Sequence, residues 1–295
     1  MKRVFLSAVA AAMLASAAAA QTGTSQGGAA STVVNRSGAP EDTARIIRAF
    51  TQRETQFRKA LNEYGFTRDA VIQTLAWGGQ ISGEYHRTSR FVFDDSGNRF
   101  EKILFFPIPT VKAIQVTPED IEDLGGVEAF ALEASKINEY TFAYVGREKI
   151  DEIGTYVFDV TPKILSDQKR LDLLKKSKST ERYFQGRIWV EDQDYQIVKA
   201  RGKGVPEFDQ RFPTFETYRE QIDGKYWFPT YSYADDELTF KNGDSVHVRM
   251  RIKYTDFQLL KGKLTIIETD QDKEDDKKQD EKKPLPVPPI PKPKP

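Results

Sequence analysis

The chain has no cysteine and only two histidines, His86 and His247, in 295 residues. The first absence excludes a disulfide scaffold, a thiolate zinc site, a thiol nucleophile and a lipid-modified cysteine. The second leaves little for a His-rich metal site, and neither a metal nor a cofactor is expected. An excess of either charge is missing too, since 44 Lys and Arg balance 44 Asp and Glu. A nucleic-acid binder normally carries a basic surplus that displaces counterions from phosphate, so nucleic acid is not an expected partner. No Gly-x-Ser-x-Gly elbow, Walker loop, His-Glu-x-x-His or dinucleotide fingerprint occurs. Residues 94–98 superficially resemble a calcium loop but lack its alternating ligands and terminal Glu. Adjacent acids such as Asp235-Asp236-Glu237 fit a solvated turn better than a carboxylate pair for glycoside hydrolysis. The chain is therefore expected not to be an enzyme, with no catalytic residues.

Only one long apolar run is present. Lys2 and Arg3 precede the apolar residues 4–15, and Ala18-Ala19-Ala20 precede Gln21. This is the pattern of a cleaved signal peptide over residues 1–20, too short to span a bilayer, which takes about 20 apolar residues. An exported protein of the periplasm is expected. Residues 21–39 are rich in Gly, Ser, Thr and Ala and read as a flexible leader. Residues 40–269 carry regular apolar patterning and are long enough for one sizeable core. Residues 270–283 are a charge run, and residues 284–295 hold seven of the fifteen prolines, so 270–295 reads as a disordered tail ending in extended polyproline helix.

Within 40–269, Pro40 is placed to open a helix with Glu41 and Asp42 in its first turn. Ile47, Phe50, Phe57, Leu61 and Tyr64 follow at helical spacing. Period-two patterns then dominate at residues 90–93, 100–106, 140–145, 155–160, 183–190, 195–200, 215–222, 226–233 and 245–257. Turn signals separate many of them, including Asp223-Gly224 and Asn242-Gly243, read as two-residue hairpin turns with both positions at positive φ. Shorter helical stretches are expected near 118–134 and 166–177. The fold class is α+β: a large antiparallel sheet with helices on one face.

Aromatic residues line up along these strands. Tyr140, Phe142 and Tyr144 share one face, as do Tyr156 and Phe158, and Phe91 and Phe93. Nine strands against so few helices suggest an apolar pocket. Its expected lining is Phe50, Phe57, Phe91, Phe93, Tyr140, Phe142, Tyr144, Tyr156, Phe158 and Trp189. Residues 246–254 alternate apolar with basic, so Arg249, Arg251 and Lys253 form a row suited to anionic headgroups or an acidic partner. His247, in the same row, is expected to be exposed.

The hairpin Phe184-Gln185-Gly186-Arg187-Ile188-Trp189-Val190, Asp192-Gln193-Asp194, Tyr195-Gln196-Ile197-Val198-Lys199 resembles one found in LolA-like outer-membrane lipoprotein-sorting proteins. Gln221-Ile222-Asp223-Gly224-Lys225-Tyr226-Trp227-Phe228-Pro229 resembles a second hairpin of the same superfamily. The resemblance covers roughly residues 140–229. It implies a curved, half-open barrel whose concave face is closed by helices. It also implies a periplasmic carrier that shelters lipoprotein or lipid acyl chains, passing them from an inner-membrane donor to an outer-membrane acceptor, as a monomer. The alternative is a non-catalytic sensor or scaffold of the same fold that binds a protein partner or a lipid as a signal. No position here matches a carrier's functional arginine.

Overall fold

The computed structural model describes residues 42–125, 132–179 and 181–260. The expected signal peptide, the leader, Pro40, Glu41 and the tail at 270–295 lie outside these residues.

Helix α1 spans Thr43–Leu61. Asp42 caps it, its carboxylate accepting the Arg45 backbone N–H at 2.8 Å. Arg58 and Lys59 sit in the last turn, where cations favour the negative end of the helix dipole. Ile46, Phe50, Glu54, Phe57 and Leu61 recur every three or four residues and are all buried, so one stripe of the helix faces inward.

That stripe packs on a ten-stranded sheet. Its strands are β1 (Tyr64–Leu75), β2 (Ile81–Phe93), β3 (Arg99–Phe105), β4 (Tyr140–Ile150) and β5 (Ile153–Pro162), then β6 (Tyr183–Glu191), β7 (Ile197–Val205), β8 (Phe215–Ile222), β9 (Tyr226–Thr239) and β10 (Ser245–Leu259). Their order is β3-β2-β1-β10-β9-β8-β7-β6-β5-β4, and every neighbouring pair is antiparallel. Two meanders thus meet at the β1–β10 seam. One long connection, residues 106–139, carries the chain from the β3 edge to the β4 edge and holds α2 (Pro118–Gly125). Helix α3 spans Gln168–Lys176 between β5 and β6. The fold is an open, curved antiparallel sheet with helices on its concave face.

Strand β1 goes beyond the expected nine. Its inward positions alternate as Tyr64, Phe66, Arg68, Ala70, Ile72 and Thr74, and the inward Arg68 and Thr74 interrupt the apolar signal. The expected turn at Asp223-Gly224 has both residues at positive φ (53° and 66°). At Asn242-Gly243 only the glycine does, and the turn closes as a longer loop in which Gly243 N–H donates to the Phe240 carbonyl and Phe240 N–H to the Asp244 carbonyl. Of the stretch expected to be helical near 118–134, Pro118–Gly125 is α-helix, and residues 126–131 lie outside the described residues.

Concave-face side chains from every strand but β3 join α1 in one core. Phe50 meets Phe142 edge-on at 5.4 Å and Phe158 at 5.8 Å, while Phe57 lies 5.7 Å from Phe228. Burying such a ring contributes about 1.5–3 kcal/mol, which anchors the helix between β9 and the β4 edge. On the outer face Val157, Trp189 and Val198 form a separate small cluster with Trp227 against it. Among the described residues no helix is long and apolar enough to cross a membrane.

Candidate functional site: a groove beneath the crossover segment

The long connection makes the site. After β3 the chain follows β2, with Thr110 N–H donating to the Glu84 carbonyl at 2.9 Å, and then turns over the concave face. Thr117 and Asp120 cap α2 reciprocally: Thr117 N–H donates to the Asp120 carboxylate at 3.0 Å, and Asp120 N–H to the Thr117 hydroxyl at 3.2 Å. Pro118 stands at the first helical position, where its missing N–H costs nothing.

Between this segment and the sheet lies a groove of about 460 Å³. Its floor is Ile72 of β1, Leu238 of β9 and Val248 and Met250 of β10; its roof is Ile114, Val116 and Leu124. The loop 206–213 supplies Phe212 as a side wall, and Arg182, Asp209, Gln210 and Arg211 stand at the rim. The trough has an apolar floor, and Gln115, Thr117 and Asp120 make its roof partly polar. By contrast, the space beneath α1, lined by Phe184, Ile188, Phe215 and Arg219, amounts to only about 20 Å³.

Arg182 fastens the roof to the wall. Its guanidinium donates to Asp120 at 3.2 Å and Asp123 at 2.6 Å on α2, also to Gln210, and lies 4.5 Å over the Phe212 ring. Burial pushes the Asp123 carboxyl above its usual range, against the pull of Arg182 and with the push of Asp120 and Glu119. Arg211 Nε donates to the Thr239 carbonyl at 2.7 Å, tying the loop to β9.

The chain is similar to several solved structures. A LolA superfamily protein from Nitrosomonas europaea has 16% identity over 70% of this chain and 93% of its own, with a TM-score of 0.32. A DUF1329 family protein from Desulfovibrio piger has 14% identity over 73% and 92%, with a TM-score of 0.34. A putative outer membrane lipoprotein-sorting protein domain from Vibrio parahaemolyticus has 11% identity over 70% and 90%, with a TM-score of 0.29. No protein-family model matches the chain, and no curated protein matches it by sequence.

The residues expected to line a pocket lie elsewhere. Phe50, Phe57, Phe91, Tyr140 and Phe158 are buried in the main core, and Phe142, Tyr144 and Tyr156 pack half-buried against it. Phe93 is half-buried near the end of β2, outside that core. Trp189 points to the opposite face, where its indole N–H donates to Glu148 at 2.6 Å and the Lys199 ammonium lies 4.8 Å from its ring. None of the ten borders the 460 Å³ groove. The alternation in β10 was the signal for Val248 and Met250; residues 113–117 have no period to read.

Arg249, Arg251 and Lys253 are exposed on the outer face, where carboxylates meet them. Arg249 donates to Asp235 at 3.0 Å, and His247 bonds the same carboxylate. Lys253 stands in register with Asp69. Burial opposes ionisation of Asp69, but bonds from Thr88 and His86 and the charge of Arg251 hold its carboxyl below the usual range. Among the described residues no group of three or more metal-ligating side chains occurs.

Proposed function

We propose that the protein is a non-catalytic periplasmic carrier that shelters the acyl chains of a lipid or lipoprotein in the groove beneath residues 113–117. The observation that carries this reading is the groove itself: about 460 Å³ with an apolar floor, Ile114, Val116 and Leu124 in its roof and two arginines at its mouth. An acyl chain gains about 0.8 kcal/mol for each methylene removed from water, and small-ligand sites run from about 300 to 1,000 Å³. Arg211 makes its hydrogen bonds to backbone carbonyls and no close ion pair among the described residues, with Asp209 the nearby opposite charge, so its remaining N–H donors can meet a headgroup phosphate. In this reading residues 1–20 are the export signal, 21–39 a leader, 40–269 the carrier domain and 270–295 a spacer. A membrane donor and an outer-membrane acceptor exchange cargo with a monomer. The core aromatics stiffen the sheet behind the groove rather than touch the cargo.

Native mass spectrometry of the gently isolated protein tests this. A lipid bound one-to-one is expected, and it should be lost in Ile114→Trp, which fills the groove from its roof. No lipid in either protein contradicts the reading. Retention of a protein partner by Ile114→Trp, with no lipid in the parent, would point instead to a sensor or scaffold.

A further inference from the structure

One end of the sheet displays large apolar side chains to solvent. Trp77 is 97% exposed and Ile108 91%, with Ile81, Ile103, Leu104, Phe105 and Phe106 between 43% and 56%. Exposed apolar side chains gathered at one end of a sheet, rather than scattered singly, mark an interaction site. Trp77 is held out by a closed turn: Ala76 N–H donates to the Gln80 carbonyl at 2.7 Å and Gly79 N–H to the Ala76 carbonyl at 3.0 Å. Gly78 and Gly79 both adopt the left-handed region, at φ 80° and 78°, which lets the turn close so tightly.

The composition of this end selects its partner. Residues 76–83 and 103–111 contain no charged side chain. The cations that flank the second segment, Lys102 and Lys112, are exposed and have no ion pair among the described residues. Glu101 beside them is taken up by Arg87 and Arg68, and Glu84 accepts from Gln73. The patch is therefore apolar, and its margin carries Lys102 and Lys112 against the one carboxylate of Glu84. A tryptophan at the tip of an uncharged turn is the arrangement that sits at a membrane interface, and flanking lysines suit anionic lipid. Pairing with a partner's strand is disfavoured, because Pro107 and Pro109 remove two donors from this edge.

The patch is also continuous with the groove. Phe106 lies 5.3 Å from Tyr85, Tyr85 stands in register with Ile72, and Ile72 is in the groove floor. The segment that carries Phe106 and Ile108 becomes the groove roof a few residues later.

We propose that this end of the sheet docks on an anionic bilayer, Trp77, Ile81 and Ile108 entering the interface while Lys102 and Lys112 face lipid phosphates. The contact does not depend on the groove being a lipid site, and the two readings fail separately: a protein that takes up lipid from solution yet ignores vesicles keeps the carrier reading and loses this one.

Flotation with vesicles of phosphatidylethanolamine and phosphatidylglycerol, compared with pure phosphatidylcholine, tests it. Parent and variant carry the same termini, so any contribution of residues 4–15 is common to both. The double variant Trp77→Ala/Ile108→Ser should partition at least tenfold less than the parent, with an unchanged thermal melt because both side chains are solvent-exposed. Among the three tryptophans, Trp77 alone should shift its emission to the blue and be quenched by brominated lipid, with the change absent in Trp77→Phe. Equal partitioning of parent and double variant, no preference for the anionic vesicles, or an unmoved Trp77 emission would overturn the proposal. So would a concentration-dependent dimer that needs Trp77 in a parent that ignores vesicles.

Discussion

Glu54 of α1 and Arg219 of β8 form a two-pronged ion pair inside the protein, with guanidinium-to-carboxylate distances of 2.6 and 3.0 Å and side-chain exposures of only 2% and 7%. The Arg219 guanidinium also lies 4.5 Å from the Phe57 ring centroid, one helical turn from Glu54. The pair ties the covering helix to β8 at a single buried point.

Removing one partner strands a buried charge. Glu54→Ala is expected to lower stability by about 3–5 kcal/mol, whereas Glu54→Leu with Arg219→Met should lie much nearer the parent. Urea unfolding of the three proteins checks this, and equal losses in the single and double variants would contradict it.

The aromatic residues divide in the same assay. Phe158 is fully buried against Phe50 and Tyr144, so Phe158→Ala should cost about 3–5 kcal/mol. Trp77→Ala removes only exposed surface and should stay within about 0.5 kcal/mol.

Acid should weaken the β1–β2–β3 end. Glu101 receives two bonds from Arg87, at 2.6 and 3.1 Å, and one from Arg68 at 3.0 Å. Burial opposes its ionisation, but Ser89 and the two arginines prevail and hold the carboxyl below its usual range. A depressed carboxylate contributes stability that is present above its unfolded value, about 4.3, and is lost as pH falls through the folded value. Glu101→Gln should therefore be less stable than the parent at neutral pH, with the gap narrowing below about pH 4. A gap independent of pH would contradict the assignment.

Arg182 should control the groove. Arg182→Ala removes the tie between α2 and the 206–213 loop, so hydrogen exchange over residues 113–124 should accelerate while β8 and β9 stay protected. Unchanged exchange at 113–124 would show that the roof is held elsewhere.

Strands were readable wherever alternation was uninterrupted, as in β10, whose inward Val248, Met250, Ile252 and Tyr254 oppose an outward basic row. Strand β1 was not, because a buried arginine interrupts its apolar face. Arg68 in β1 points inward because Glu101 and the Phe91 ring receive it, and no local pattern announces a partner 33 residues away. Glu54 is hidden for the same reason, at 165 residues from Arg219. The groove is less legible still. Its floor follows from strand alternation, but its roof is irregular chain placed by the Thr117–Asp120 cap and by Arg182, and only the three-dimensional arrangement joins them. Counting rings led to the core and not to this groove, because the largest side chains fill space rather than leave it.

The carrier reading turns on whether the groove takes an acyl chain. The most direct measurement is titration of the purified protein with a fluorescent fatty acid, parent against Ile114→Trp. Saturable one-to-one binding with emission of an apolar environment, weakened at least tenfold in Ile114→Trp, is the predicted result. No saturable binding, or equal binding by the two proteins, would contradict it.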